Sequence, residues 1–226
     1  MVNTMPISKA NIVGKLHYKT KRNYLERMIS KKVYCMKIAK KYEKEYWDGN
    51  RKYGYGGYKF IPGRWTKVAK KIIKLFKINK NSKILDIGCG KGFLLYEIKK
   101  LIPDCHVKGI DFSKYAIKNS HKDIKKYLEV YDARKKLPFK FKQFDLVISI
   151  NCLHNFNIDE LFFSLKEIRR ISKKQYLVVE SYRNESELFN LQCWALTCNS
   201  FFNDKDWEWI FKRNKINGLF ELIYFP

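Results

Sequence analysis

The sequence predicts an α/β fold: a doubly wound, mostly parallel sheet of about six strands, preceded by a helical N-terminal extension. Three observations carry this expectation. Short apolar runs alternate with amphipathic stretches from Lys67 to Ser181, the pattern of helices that cross over between parallel strands. The first run, Ile84-Leu85-Asp86-Ile87, opens into Gly88-Cys89-Gly90-Lys91-Gly92 and then into an apolar helical pattern, so a buried strand enters a tight turn and a helix. A later run, Val107 to Asp111, ends in an acid 19 residues beyond Gly92. That is near the ~20-residue spacing at which an acid at the second strand's end reaches ribose hydroxyls.

Composition bounds the alternatives. A chain of 226 residues is long enough for one sizeable α/β domain with an extension and short for two full domains. The division expected is 1–65 as arm, helix and a lid loop, and 66–226 as the α/β domain. An apolar share of 46% with 16% aromatics supports a packed core and excludes wholesale disorder. No 18-residue apolar run and no apolar signal-peptide core is present, which predicts a soluble, cytoplasmic protein without a membrane span. Six cysteines without a C-x-x-C pair and four scattered histidines argue against a metal site or a disulfide framework.

The net charge of +25 admits a nucleic-acid partner. Against it, the 38 lysines are spread along the chain and outnumber 9 arginines, as an AT-rich coding bias would produce. Arginine is the better fork for phosphates and bases. The charge still draws in anionic partners.

In chain order, residues 1–21 are polar and basic without periodicity and read as a loose arm. From Asn23 to about Trp47, Leu25, Met28, Ile29, Val33, Met36, Ala39 and Tyr42 recur mostly at three- and four-residue steps, which predicts one or two amphipathic helices. Asp48 to Trp65 holds five glycines and reads as a loop. It is either a lid over the site or a structural connection, and its aromatic content argues against disorder. Thr66 to Ile78 is a helix with Val68, Ala69, Ile72 and Ile73 on one face, and Lys83–Ile87 is a strand. Helix follows from Phe93 to about Leu101, then the strand to Asp111, a short helix from Ser113, and a strand over Tyr127–Tyr131. Phe144–Ile150 is nearly continuously apolar and suits the sheet centre. A helix over Ile158–Ile171, a strand over Gln175–Ser181, helices from Asn184 and from Asp204, and one last strand over Phe220–Phe225 complete the chain.

Asp86-x-Gly88-x-Gly90-x-Gly92, with Asp111, Asp132-Ala133 and Leu137-Pro138-Phe139 in register, resembles the class I S-adenosylmethionine-dependent methyltransferases. The resemblance covers about Thr66 to Ser181 and implies their Rossmann-like fold and their cofactor. It implies that Gly88, Cys89, Gly90 and Gly92 lie against the methionine and ribose portions, with Asp86 orienting the turn. Asp111 would take the ribose hydroxyls, Phe112 would pack on adenine, Asp132 and Ala133 would read its amine, and Asn151 would face the sulfonium. Bland readings stand beside two of these: Asp111 as a helix N-cap and Asp132 as a turn acid. Family members usually finish with an antiparallel strand pair, whereas only one strand is expected here.

Methyl transfer is an in-line displacement that needs positioning and exclusion of water more than covalent help. For a hydroxyl acceptor, His154 is the candidate general base, against a structural role. Candidate acceptor contacts are Tyr55, Tyr58, Arg64 and Trp65 from the glycine-tyrosine loop, Asn155, and Glu180, Tyr182 and Arg183 at a strand end; for the arginines a surface salt bridge is the alternative. The loop to Trp65 and the run from Glu185 to Cys198 are similar to methyltransferases of bacterial surface-polysaccharide (capsule) decoration. The expectation is methylation, with oxygen favoured, of a small polar and anionic acceptor. An RNA methyltransferase and a non-catalytic partner protein of the same fold are the alternatives.

Overall fold

The computed structural model describes residues 7–18, 21–56 and 58–226. Seven strands among these residues are β1 (Ser8–Lys9), β2 (Lys83–Ile87), β3 (His106–Asp111), β4 (Leu128–Val130), β5 (Phe144–Ile150), β6 (Ser172–Glu180) and β7 (Gly218–Ile223). They form one sheet in the order β1-β7-β6-β5-β2-β3-β4, and every pairing is parallel. From β2 the chain moves outward through β3 and β4, then returns to β5 on the other side of β2. The strand order therefore reverses between β2 and β5, where open α/β sheets leave a crevice at their C-terminal rim.

Strand side chains alternate between two cores, as the pleat requires. Ile84, Leu146, Ile148, Tyr176 and Val178 face one side. There they pack on α5 (Thr66–Phe76) and α6 (Phe93–Leu101) through Val68, Ala69, Ile72, Leu95 and Ile98, and on α9 (Glu185–Trp194) through Leu191 and Trp194. Leu85, Ile87, Val147, Leu177 and Val179 face the other. Their partners are α8 (Ile158–Ile171), through Leu161, Leu165 and Ile168, and α10 (Asp204–Arg213), through Trp207 and Phe211. Local signals fix the helix boundaries: Asn157 and Glu160 close a capping box on α8, and Asn184 and Asn203 cap α9 and α10. A short helix, α7 (Lys114–Lys118), follows β3 with Ser113 as its cap.

The strand count corrects the expectation of about six. Of the supposed loose arm, residues 1–6 and 19–20 lie outside the described residues, but Ser8 and Lys9 pair with Leu219 and Phe220 as the seventh strand. The buried carboxylate of Glu221 then accepts hydrogen bonds from the backbone N–H groups of Ile12 (2.7 Å), Val13 (3.1 Å) and Gly14 (2.6 Å). Those groups lead into α1 (Gly14–Tyr18), and the Tyr176 hydroxyl donates to the same carboxylate at 2.6 Å. This anchoring uses main-chain donors, which leave no hydrophobic period to read.

The extension continues as α2 (Tyr24–Ile29), α3 (Lys32–Ala39) and α4 (Lys44–Trp47). Cys35, Ala39 and Tyr46 from these helices form a small third core with Leu196. The extension thereby lies beside the C-terminal rim of the sheet.

Candidate active site

The rim is built first by the turn after β2. Gly88 adopts φ +75°, and a Cβ there would stand 2.6 Å from the Cys152 Cβ. Gly88 and Cys89 donate their N–H groups to Ile110 O, at 2.8 and 3.1 Å. Asp111, at the end of β3, is buried and accepts from Gly90 N and Ser113 N, each at 2.8 Å. One carboxylate thus ties two successive strand ends together. Burial, with Asp111 beside it, pushes the Asp86 carboxyl up to about 7. Burial pushes the Cys89 thiol up as well, so Cys89 is uncharged wall rather than nucleophile.

Two cavities meet at this turn, sharing Gly88, Asn151, Tyr46 and Trp47. The smaller, of about 190 Å³, has Asp111, Phe112, Asp132, Ala133 and Asn155 in its wall. The larger, of about 420 Å³, has Asp86, Cys89, Gly90, Asn151, His154 and Glu180 on the sheet side. Tyr55, Tyr58 and Trp65 face them from the glycine-tyrosine loop, and Arg22, Arg51 and Arg64 with His17 complete the wall.

The loop is held down over the rim. The Tyr55 hydroxyl accepts from Leu196 N (2.7 Å) and Thr197 N (3.1 Å), and Tyr58 donates to the buried Tyr46 hydroxyl at 2.8 Å. Trp47 donates its indole N–H to Ser113 Oγ at 2.9 Å. Asp48 meets the buried Lys91 ammonium at 2.6 Å, which joins the roof to the glycine turn itself. Gly57 lies outside the described residues.

His154 and Glu180 form the most unusual polar pair in the site. Glu180 N donates to His154 Nδ1 at 3.2 Å. That fixes Nδ1 as an acceptor and puts the ring proton on Nε2, 3.5 Å from Glu180 Oε2. Burial holds the imidazole down to about 3. A ring whose free lone pair is already engaged makes a poor general base, so the geometry turns the sequence reading of His154 toward its structural alternative. The Glu180 carboxyl is pushed up to about 7 by burial, opposed by Arg22 and Arg27. Its Oε2 is buried and has no hydrogen-bond partner among the described residues.

Several sequence-derived residues lie elsewhere than expected. Gly92 faces the core: a Cβ there would stand 2.7 Å from Leu128 Cδ1 and 2.8 Å from Ile124 Cγ2. Asn155 lines the smaller cavity, not the one beside Glu180, and its Oδ1 is buried without a partner among the described residues. Tyr182 and Arg183 line neither cavity. After β6 the chain turns outward into α9. Tyr182 bridges to Asn203, and Arg183 pairs with Glu187 and covers the Tyr224 ring. Asp132 is clamped by Arg134, whose guanidinium also lies 5.3 Å from the Phe112 ring. Conversely, His17, Arg22, Tyr46 and Arg51 in the cavity wall were not singled out from sequence. One signal was present: arginine is rare in this lysine-rich chain, 9 residues in all, and three of those nine meet here.

A family model described as "Methyltransferase domain" matches residues 78–221. The chain belongs to this methyltransferase family. The cofactor of this family is S-adenosylmethionine, and the site fits it. The turn at Gly88 and Gly90 presents bare backbone to the cavity, Asp111 keeps acceptor capacity beyond its two backbone bonds, and Asn155 Oδ1 offers an unused acceptor in the smaller cavity. The chain is 31% identical over 155 residues to the ubiquinone biosynthesis O-methyltransferase of Pelagibacter ubique, covering 65% of this chain and 62% of that one. It is 30% identical over 109 residues to human mitochondrial arginine-hydroxylase NDUFAF5, covering 48% of this chain and 31% of that one. The chain thus spans less than two thirds of the curated relatives it matches. Among solved structures, the YcgJ protein from Bacillus subtilis superimposes with a TM-score of 0.51 at 17% identity, over 65% of this chain and 66% of that one, a likeness of fold.

Proposed function

We propose that the enzyme methylates an oxygen of a small anionic acceptor bearing a carboxylate or phosphate, with hydroxylated sugar phosphates of surface-polysaccharide synthesis as one such class. The observation that carries this reading is that Arg22, Arg51 and Arg64 line the same cavity as Gly88, Gly90 and Glu180. Arginine forks hold carboxylate and phosphate bidentately. The aromatic roof supports a small acceptor, since exclusion of water needs walls on all sides. The O-methyltransferase name of the Pelagibacter relative supports oxygen as the accepting atom.

When bound, S-adenosylmethionine supplies an electrophilic methyl carbon on a positively charged sulfur. In this reading Asp86, Gly88, Cys89, Gly90 and Asn151 hold its amino-acid and ribose portions, and Asp111 takes the ribose hydroxyls. Phe112, Asp132, Ala133 and Asn155 contact the adenine. Tyr55, Tyr58 and Trp65 cover the acceptor, and the arginines orient its anion so that the hydroxyl faces the cavity floor.

The test offers labelled S-adenosylmethionine with a panel of sugar phosphates, hydroxy acids and the matching neutral sugars. Label is expected in anionic members alone, and Arg64→Ala should raise the acceptor KM by ~10-fold or more while leaving affinity for S-adenosylhomocysteine unchanged. Equal labelling of neutral sugars, or an unchanged KM, would overturn the anionic acceptor.

A further inference from the structure

We propose that Glu180 is the catalytic proton acceptor of this enzyme and that His154 positions it. The inference rests on the reading above that an acceptor hydroxyl enters the larger cavity. Glu180 stands at the last position of β6, on the rim and beside the switch point, and is 5% exposed. It lines the larger cavity, and its Oε2, buried and 3.5 Å from His154 Nε2, makes no hydrogen bond among the described residues. A native fold pairs nearly all such atoms, so one without a partner on a cavity-lining residue points to a ligand donor. A substrate hydroxyl supplies that donor.

The surroundings fit a base rather than an ion-pair anchor. His154 accepts from the Glu180 backbone N–H and keeps its own proton on Nε2, so it steadies the glutamate without taking the substrate proton. Arg22 and Arg27 act on Glu180 from the extension, Tyr55 and Tyr58 from the roof, and Cys198 from the segment after α9. His17 and Asp86 share the cavity. Burial holds the two tyrosines and the cysteine in their neutral forms and keeps His17 down at about 3, so none of these competes as a base near neutrality. Asp86 is the exception, because it too titrates at about 7. It stands at the end of β2 on the glycine turn.

In the step, the acceptor O–H bond breaks with its proton passing to Glu180 Oε2. The electron pair left on oxygen forms the new O–C bond as the methyl carbon's bond to sulfur breaks, that pair remaining on sulfur. The retained electron pair neutralises the sulfonium and the proton neutralises the carboxylate, so the net charge of the site is unchanged.

The experiment uses the full chain and an anionic acceptor labelled in the panel above. For the wild type, kcat should rise with pH through an apparent pKa near 7. Glu180→Gln should lower kcat by ~100-fold or more, abolish that ascending limb, leave the acceptor KM within ~3-fold, and keep S-adenosylhomocysteine affinity as the sign of an intact fold. Glu180→Asp, which retains a carboxylate, should recover part of kcat and the limb. Asp86→Asn should retain the limb, whatever its effect on cofactor affinity. A limb that survives in Glu180→Gln, or a kcat loss under ~10-fold, overturns the assignment. If the wild type labels nothing in the panel, the acceptor reading fails separately. Glu180 is then judged by infrared titration of its carboxyl in the S-adenosylhomocysteine complex against the Glu180→Gln difference spectrum: titration near pH 7 supports a poised base, and titration in the ordinary carboxylate range overturns it.

Discussion

Asp111 commits each of its oxygens to a backbone N–H, Gly90 on one side and Ser113 on the other. Its removal should therefore loosen the glycine turn as well as delete an acceptor for the cofactor. Asp111→Ala is expected to weaken S-adenosylhomocysteine binding by ~10- to 100-fold, about 1.4–2.7 kcal/mol, with a correspondingly smaller rise in Tm on ligand addition. An equal rise in variant and wild type would remove Asp111 from the site. Glu180 makes a second prediction, on stability. Its folded pKa lies at about 7, above the ordinary carboxyl range, because of burial. Between those limits the folded state binds the extra proton, so this group's contribution falls as pH rises and is lost above about 7. His154 and His17, held down at about 3, act oppositely: their contribution grows as pH rises through 3 to 6.5 and is complete above that. Glu180→Gln removes the Glu180 share of the falling component and leaves that of Asp86, which also sits at about 7. The free variant should be more stable than wild type at pH 8, by on the order of 2 kcal/mol, with the gain shrinking toward pH 5 in urea titrations. A gain independent of pH would contradict the buried carboxylate.

At the scale of elements, β7 is held on both sides in ways of unequal legibility. Its apolar run is plain in the sequence, and its pairing with β6 is a consequence of the α9–α10 crossover. Its pairing with β1 depends on Glu221, whose carboxylate gathers three backbone N–H groups and the Tyr176 hydroxyl. Glu221→Ala would leave those buried donors unmatched. The expected cost is about 3 kcal/mol in equilibrium unfolding, with proteolysis of the N-terminal segment accelerated, because β1 and α1 lose their shared anchor. Unchanged stability would show that the strand pairing holds the segment unaided. Element by element, the helices over 66–76, 93–101 and 158–171 were legible from their apolar period, whereas β1 was not. Two residues carry no period, and what recruits them is a carboxylate more than 200 residues away in the chain.

On the scale of the whole molecule, the charge of +25 and the roofed cavity lead to opposed expectations about salt. A protein that tracks a polyanion backbone loses affinity steeply as salt rises, with the slope spread over many lysines. A small anion held by three arginines under an aromatic roof is screened far less. Acceptor KM is accordingly expected to change less than ~3-fold between 50 and 200 mM salt, where binding spread over 6–10 phosphates would lose about 10³-fold or more. Filter binding of total RNA checks the same point, and tight, salt-sensitive retention would count against the small acceptor.

What the sequence determined by itself was the parallel α/β sheet, the glycine turn and the acids at strand ends. These depend on local chemistry: apolar period, glycine where the backbone turns, and an acid a fixed distance along a strand–helix–strand unit. The methyltransferase reading follows from that register. The tertiary structure alone decided what surrounds the turn. Arg22, Arg51 and the extension's aromatic side chains reach the cavity because residues far apart in the chain fold over one rim. Arg183, which shares that rim in sequence, is drawn away because Glu187 lies one helical turn further on. His154, whose ordinary neutral-range pKa suggests a base, has its Nδ1 lone pair engaged by a backbone N–H and is held down to about 3 by burial. Glu180, which the sequence offered as an acceptor contact at a strand end, becomes a buried acceptor because no described group hydrogen-bonds its Oε2. Burial and the identity of a partner are properties of the assembled packing, and no local pattern encodes them.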